Sequence, residues 1–185
     1  MRPYRLPAAL ALVCLAALPA QAQEQPAPVT MAVEQGVWTV TPFLSLTFGG
    51  DSDSTSLGVG GAAAYSFTEA IAVEAELGYA FDLAGDDDAI DWTLLGASAN
   101  LLYHFPLANG LVPYATAGVG FGRASVDVVD DALSSSEVGF NVGGGIKAPI
   151  NETLAARGDI RYFKSSDAVP DVWRIYGGLT WTLRR

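Results

Sequence analysis

The side chains able to do chemistry in this 185-residue chain are few and unevenly placed: one histidine, His104, one cysteine, Cys14, and 20 acids against 10 bases. A hydrolytic nucleophile needs a neighbouring base to activate it. His104 is followed by Phe105 and Pro106, with no His-x-Ser arrangement, and reads as a polar residue of a strand. A zinc site wants more His or Cys than the chain owns. Asp51-Ser52-Asp53-Ser54-Thr55 opens like a calcium loop, but Ser56 stands where such a loop needs glycine and Ala62 where it needs a bidentate glutamate. Gly58 to Ala63 has the spacing of a dinucleotide fingerprint, which carries meaning only between a strand and a helix and here falls inside a strand. Asn151-Glu152-Thr153 fits a glycosylation sequon and reads as incidental to a short turn. No catalytic, cofactor-binding or metal residue is therefore assigned, and no cofactor is expected.

What remains is ionic. One set, Glu74, Glu76, Asp82 and Asp159 with Lys147, Arg157, Arg161 and Arg174, alternates with apolar neighbours. The other gathers in four polar segments: Asp51, Asp53, Asp86, Asp87, Asp88, Asp91, Asp127, Asp130, Asp131, Glu137, Asp167 and Asp171, against Arg123 and Lys164. The formal net charge is −10, with no Lys/Arg cluster, so the basic footprint that nucleic-acid binding requires is missing.

The elements that position these residues follow from the hydropathy pattern. Arg2 and Arg5, the apolar stretch Leu6 to Pro19 and Ala20-Gln21-Ala22 read as a secretory signal peptide over 1–22. Cys14 lies inside it, which leaves the exported chain without a thiol or a disulfide. Residues 23–35 read as a periplasmic linker rich in Gln, Pro and Ala. No later apolar run approaches the 18 residues of a spanning helix, although half of all residues are hydrophobic. From residue 38 onward the period is two, the signature of a strand. Eight apolar faces appear at every second residue: Trp38 to Phe48, Leu57 to Phe67, Ile71 to Phe81, Leu95 to Phe105, Leu111 to Phe121, Val138 to Ala148, Leu154 to Tyr162 and Trp173 to Leu183.

None of these faces carries a charge, whereas the opposite faces hold the whole first ionic set together with Ser98, Asn100, His104, Tyr114, Asn141 and Tyr176. A small soluble core cannot absorb that many charges without neutralising or pairing each one. In a membrane barrel the assignment inverts: apolar residues meet lipid and polar residues fill the inside. Longer acidic connections near 49–56, 82–92, 124–137 and 164–171 alternate with short turns near 68–70, 106–110 and 149–153, as eight antiparallel strands with both termini on one side require. Trp38, Tyr65, Phe67, Tyr103, Phe105 and Trp181 fall at the turn end of the apolar faces, and Phe48, Tyr79, Phe81, Phe121, Phe140, Tyr162 and Trp173 at the loop end, like two interfacial girdles. The expected fold is all-β: an eight-stranded antiparallel up-and-down transmembrane β-barrel over 36–185.

The runs PYATAGVGFG at 113–122 and FNVGGGIKAPINETLAARGDIRYF at 140–163 resemble the small outer-membrane β-barrel family that includes the OmpA transmembrane domain, OmpX and the opacity proteins. The resemblance spans roughly 36–183. It implies a cell outer membrane location, assembly by the barrel-assembly machinery, outer-membrane lipid and lipopolysaccharide as surroundings, and a monomer. Two features depart from the family: the chain ends Trp181-Thr182-Leu183-Arg184-Arg185 where a terminal Phe is usual, and no wall-binding domain follows.

Eight strands enclose an interior only just wide enough for side chains to fill. Four acids facing four bases are therefore expected to pair and plug it, with a structural role, and Glu74 or Glu76 is expected to meet Arg157, Arg161 or Arg174. The functional expectation is a non-enzymatic barrel with acidic surface loops and a structural or surface-interaction role in the envelope, a surface ligand or divalent cations being candidates at the loops. A narrow small-solute or ion pore is the alternative, and a lipid-modifying outer-membrane enzyme the third reading.

Overall fold

A computed structural model of the chain describes residues 33–49, 55–82, 91–105, 107, 110–128, 131–165 and 171–183, of which 82, 91–93, 124–128, 131–136 and 165 by backbone alone. The expected signal peptide with Cys14, nearly all of the linker, and Asp51, Asp53, Asp86, Asp87, Asp88, Asp130 and Asp167 lie outside the described residues. The rest is strand. β1 (Trp38–Gly49), β2 (Thr55–Ser66), β3 (Ile71–Asp82), β4 (Asp91–His104), β5 (Val112–Val128), β6 (Asp131–Pro149), β7 (Leu154–Ser165) and β8 (Val172–Leu183) follow one another around a closed barrel. Every neighbouring pair is antiparallel, and β1 closes on β8 with Trp38 opposite Leu183 and Phe48 opposite Trp173. Closure gives each backbone ladder a partner on both sides, which an open sheet in lipid would lack.

The alternation decides which way each residue points. Leu44, Leu77, Val119 and Val138 face outward, Leu77 being 63% exposed, while Glu74, Asn141, Arg161 and Thr180 face inward and are buried. All eight apolar faces read from the sequence are the outward ones. The barrel is thus turned inside out relative to a soluble protein, with its polar side chains in the core. Aromatic pairs mark the two rims of the outer surface: Trp38 with Tyr65 at 5.1 Å and Tyr103 with Phe105 at 4.7 Å at the turn end, Tyr162 with Trp173 at 5.1 Å at the loop end.

The short turns close on local hydrogen bonds. The Thr68 hydroxyl accepts from the Ile71 amide at 2.9 Å, and the Asn151 side-chain carbonyl accepts from the amides of Thr153 and Leu154, both at 2.9 Å. Asn151 is therefore part of the turn itself. Gly110, at φ 82°, supplies the left-handed residue of the middle turn.

One expectation needs correcting. The segment 124–137 is not a long loop: its backbone continues β5 and β6 as a hairpin, from Arg123 opposite Ser136 to Val128 opposite Asp131. β4 begins at Asp91, paired with Asp127, four residues before the apolar face starts. Membrane strands need about 9–11 residues, so β5 and β6, with 17 and 19, rise beyond the bilayer. Residues standing in water need no lipid-facing side chains, and the odd-numbered set that is apolar over 111–121 continues as Arg123, Ser125 and Asp127.

Candidate functional site

The turn-end half of the lumen is filled by one connected set of polar side chains. Arg157 and Arg161 project from alternate inward positions of β7 with Asp159 between them, while Glu74 and Glu76 project from β3 on the opposite wall. Arg157 donates to Glu74 at 2.5 Å, and Arg161 donates to the other oxygen of the same carboxylate at 2.8 Å. Arg161 also donates to Asp159 at 2.9 and 3.0 Å and pairs with Glu76 at 3.3 Å, so one guanidinium engages three carboxylates. Arg174 on β8 meets the other Glu76 oxygen at 2.6 Å. Tyr114 on β5 donates to Asp159 at 2.5 Å and accepts from Arg157 Nε at 2.7 Å, joining a third wall to the network. Arg161 has no exposed surface. Burial of this kind is tolerable only because each of these ions is paired, Glu74, Asp159, Arg157 and Arg161 through hydrogen bonds and Glu76 and Arg174 through charge contacts.

The structure brings together six of the eight ionic residues read from the sequence: Glu74, Glu76, Asp159, Arg157, Arg161 and Arg174. Both glutamates meet arginines. The side chain of Asp82 lies outside the described residues, though its backbone ends β3 opposite Ser56. The expected pairing of four acids with four bases does not extend to Lys147, whose Nζ lies 3.1 Å from His104 Nε2 and 5.7 Å from the centre of the Tyr114 ring. The reason is register: Lys147 stands beside Arg157 on the neighbouring strand, at the level of the turns, and Glu74 and Asp159 are engaged by the two arginines above it. His104, buried in the lumen, faces Lys147 and Tyr114 rather than any nucleophile.

Glycine makes the dense packing possible. A methyl group at Gly145 would overlap the Tyr114 hydroxyl and the Gly158 carbonyl, and one at Gly60 would overlap the Phe43 ring. Phe43 stacks on Tyr176 with centroids 4.4 Å apart, and Arg174 lies 5.4 Å from each of these rings. These aromatic contacts were not foreseen, although Phe43 stands on the inward face of β1 in the alternation.

The loop-end half is different. Above Glu76 and Arg174 the lumen opens into a cavity of about 130 Å³. Its wall over β3 to β6 holds five inward positions with no side chain, Gly78, Gly96, Gly120, Gly122 and Gly139, among Ala80, Leu94, Ser98 and Glu137. Expectation and structure part here: pairing plugs one half of the interior and leaves the other hollow. The signal was present in the sequence as inward-facing glycines on four consecutive strands, two of them at alternate positions of β5. Among the described residues no cluster of His, Cys, Asp or Glu could hold a metal ion.

The family described as outer membrane protein beta-barrel domain matches residues 8–181. The chain belongs to that family. It is an outer-membrane β-barrel, and outer-membrane lipid is the surrounding of its apolar face. Solved structures agree on the fold. The N-terminal β-barrel domain of Pseudomonas aeruginosa OprF is 22% identical, with a TM-score of 0.60 over 80% of this chain and 98% of that one. Neisserial surface protein A is 15% identical, with a TM-score of 0.66 over 80% and 96%. The Yersinia pestis attachment invasion locus protein Ail, in complex with the heparin analogue sucrose octasulfate, is 17% identical, with a TM-score of 0.60 over 80% and 99%. No curated protein matches the chain.

Proposed function

We propose that the protein is a non-enzymatic outer-membrane barrel, exported by removal of residues 1–22 and inserted with its turns toward the periplasm and its acidic loops outside. Its role is structural or one of surface interaction. The observation that carries this reading is the Arg161 crossbar: a guanidinium bound to Glu74, Glu76 and Asp159 ties β7 to β3 across the lumen, where a channel would have to run. Such a network supports a permanent plug more than a gate, because opening it strands several charges at low dielectric. The pore alternative is weakened by the same contacts. The enzyme alternative is weakened by His104, which is enclosed in the lumen and turned away from the lipid face.

The surface charge narrows the partner. Ail is known in complex with a polysulfated sugar, but here the polar segments at the loop end carry Asp51, Asp53, Asp86, Asp87, Asp88, Asp130, Asp167 and further acids against only Arg123 and Lys164. A polyanion is repelled, so cationic surfaces, or divalent ions shared with lipopolysaccharide phosphates, are the favoured partners. Conductance tests the plug directly. Purified protein in planar bilayers is expected to show no stable steps. Discrete nanosiemens steps in the wild type would replace this reading with the pore.

A further inference from the structure

We infer that the loop-end cavity is a binding site for a small uncharged organic molecule, about one six-membered ring in size, that carries a hydrogen-bond acceptor. Three observations converge on this. The first is volume. At about 130 Å³ the cavity is close to the ~150 Å³ of a cavity that holds a benzene molecule. It is made by omission: a Cβ built at Gly78, Gly96 or Gly122 meets nothing nearer than 3.7 Å, so these positions could carry side chains and instead leave space.

The second is a donor on the floor. The Arg174 side chain lines the cavity with 12% of its surface open, while it pairs with Glu76 at 2.6 Å and lies 4.8 Å from the Phe163 ring. A guest bearing a carbonyl or hydroxyl oxygen would accept from this guanidinium, and hydrogen bonds to a charged donor are the stronger kind.

The third is charge. The ions bordering the cavity are already engaged: Arg174 with Glu76, Glu76 also with Arg161, and Lys164 with Asp171 at 2.8 Å, while Glu137 has a partner of its own. A charged guest would enter without a counter-ion, and an anion would also pass the aspartates of the connections that join the strands at this end. A neutral guest escapes both costs, and Leu94 and Phe163 give its ring apolar contact.

The test uses the full barrel in lipid nanodiscs and three probes that share one ring and one carbon beyond it: benzyl alcohol, benzoate and benzylammonium. Backbone amide shifts of Gly78, Gly96 and Gly120 report the cavity, and that of Tyr114 reports the filled half. Benzyl alcohol is expected to shift the three glycine signals saturably and leave Tyr114 in place, with benzoate and benzylammonium at least fivefold weaker. Gly96→Leu, which fills the space, and Arg174→Met, which removes the donor, should each weaken benzyl alcohol at least tenfold. Should Arg174→Met fail to fold, Gly96→Leu and the probe series still decide. No saturable shift, equal affinity for the three probes, a preference for a charged probe, or undiminished binding to Gly96→Leu would each overturn the assignment.

Discussion

The two halves of the lumen are built from the same alternation and the same abundance of glycine, and they end up opposite in character. At the turn end, glycines such as Gly145 and Gly143 stand beside a large side chain of the neighbouring strand that leans over the wall, so the missing Cβ is taken up by Tyr114 or Arg161. At the loop end, Gly78, Gly96 and Gly122 face no such side chain, and the missing Cβ stays as empty volume. A glycine in a barrel interior therefore has no fixed meaning. Its consequence depends on whether the register sets an arginine or a tyrosine beside it, or a serine or another glycine.

The sharpest way to break this contrast is to remove the crossbar. Arg161→Ala leaves Glu74, Glu76 and Asp159 short of a shared partner in a buried site, and breaking such a network costs about 3–5 kcal/mol. Urea unfolding in lipid vesicles should show a loss of that size. Glu76→Ala combined with Arg161→Ala should lose less than the two single changes together. Strict additivity, within about 0.5 kcal/mol, would mean that the charges are solvated separately and that the filled half is not a plug.

A second prediction uses the hollow half against the lipid face. Leu44 points outward and its neighbour Ser45 points into the cavity. Leu44→Arg should cost about 2–4 kcal/mol through the bilayer and lower the amount of heat-modifiable barrel in the membrane. Ser45→Arg has space and water within reach and should cost clearly less. Equal membrane levels for both variants would show that the cavity does not accept a charged side chain better than lipid does, and would question the register of β1.

How much of this was legible in the sequence follows from what leaves a periodic trace. Strand faces do, so Trp38 to Phe48 and the seven runs after it could be read as lipid-facing before any coordinates. Side chains such as Glu74 and Arg161 could be assigned to the interior for the same reason. Which carboxylate meets which guanidinium leaves no trace, because it depends on the stagger of the strands around the barrel. Lys147 against His104 shows the limit: counting charges suggested an acid as partner, and the register placed the lysine beside Arg157 instead. The raised β5–β6 hairpin was missed because its residues stand in water and need no apolar face. The cavity was missed differently: its glycines were visible at inward positions, but their emptiness depends on the register that sets Gly78, Gly96 and Gly122 side by side.

The smallest expected effect is the most discriminating. Gly145→Ala and Gly96→Ala are the same chemical change at inward positions of β6 and β4, and in an open strand the added methyl would favour both slightly. At Gly145 the methyl overlaps a backbone carbonyl and the Tyr114 ring, which is held between Arg157 and Asp159 and cannot withdraw without breaking both bonds. Overpacking of that kind costs about 1–3 kcal/mol. At Gly96 the nearest atom is the Gly78 carbonyl at 4.0 Å, so the methyl enters free space. Removing a glycine there also restricts the unfolded chain, which is worth about 0.4–1 kcal/mol in favour of folding. The two variants should thus shift the urea midpoint in opposite directions, Gly145→Ala down and Gly96→Ala unchanged or slightly up. A fall at Gly96 as large as that at Gly145 would mean that the loop-end half is packed in solution, and the distinction between the filled and hollow halves would be lost.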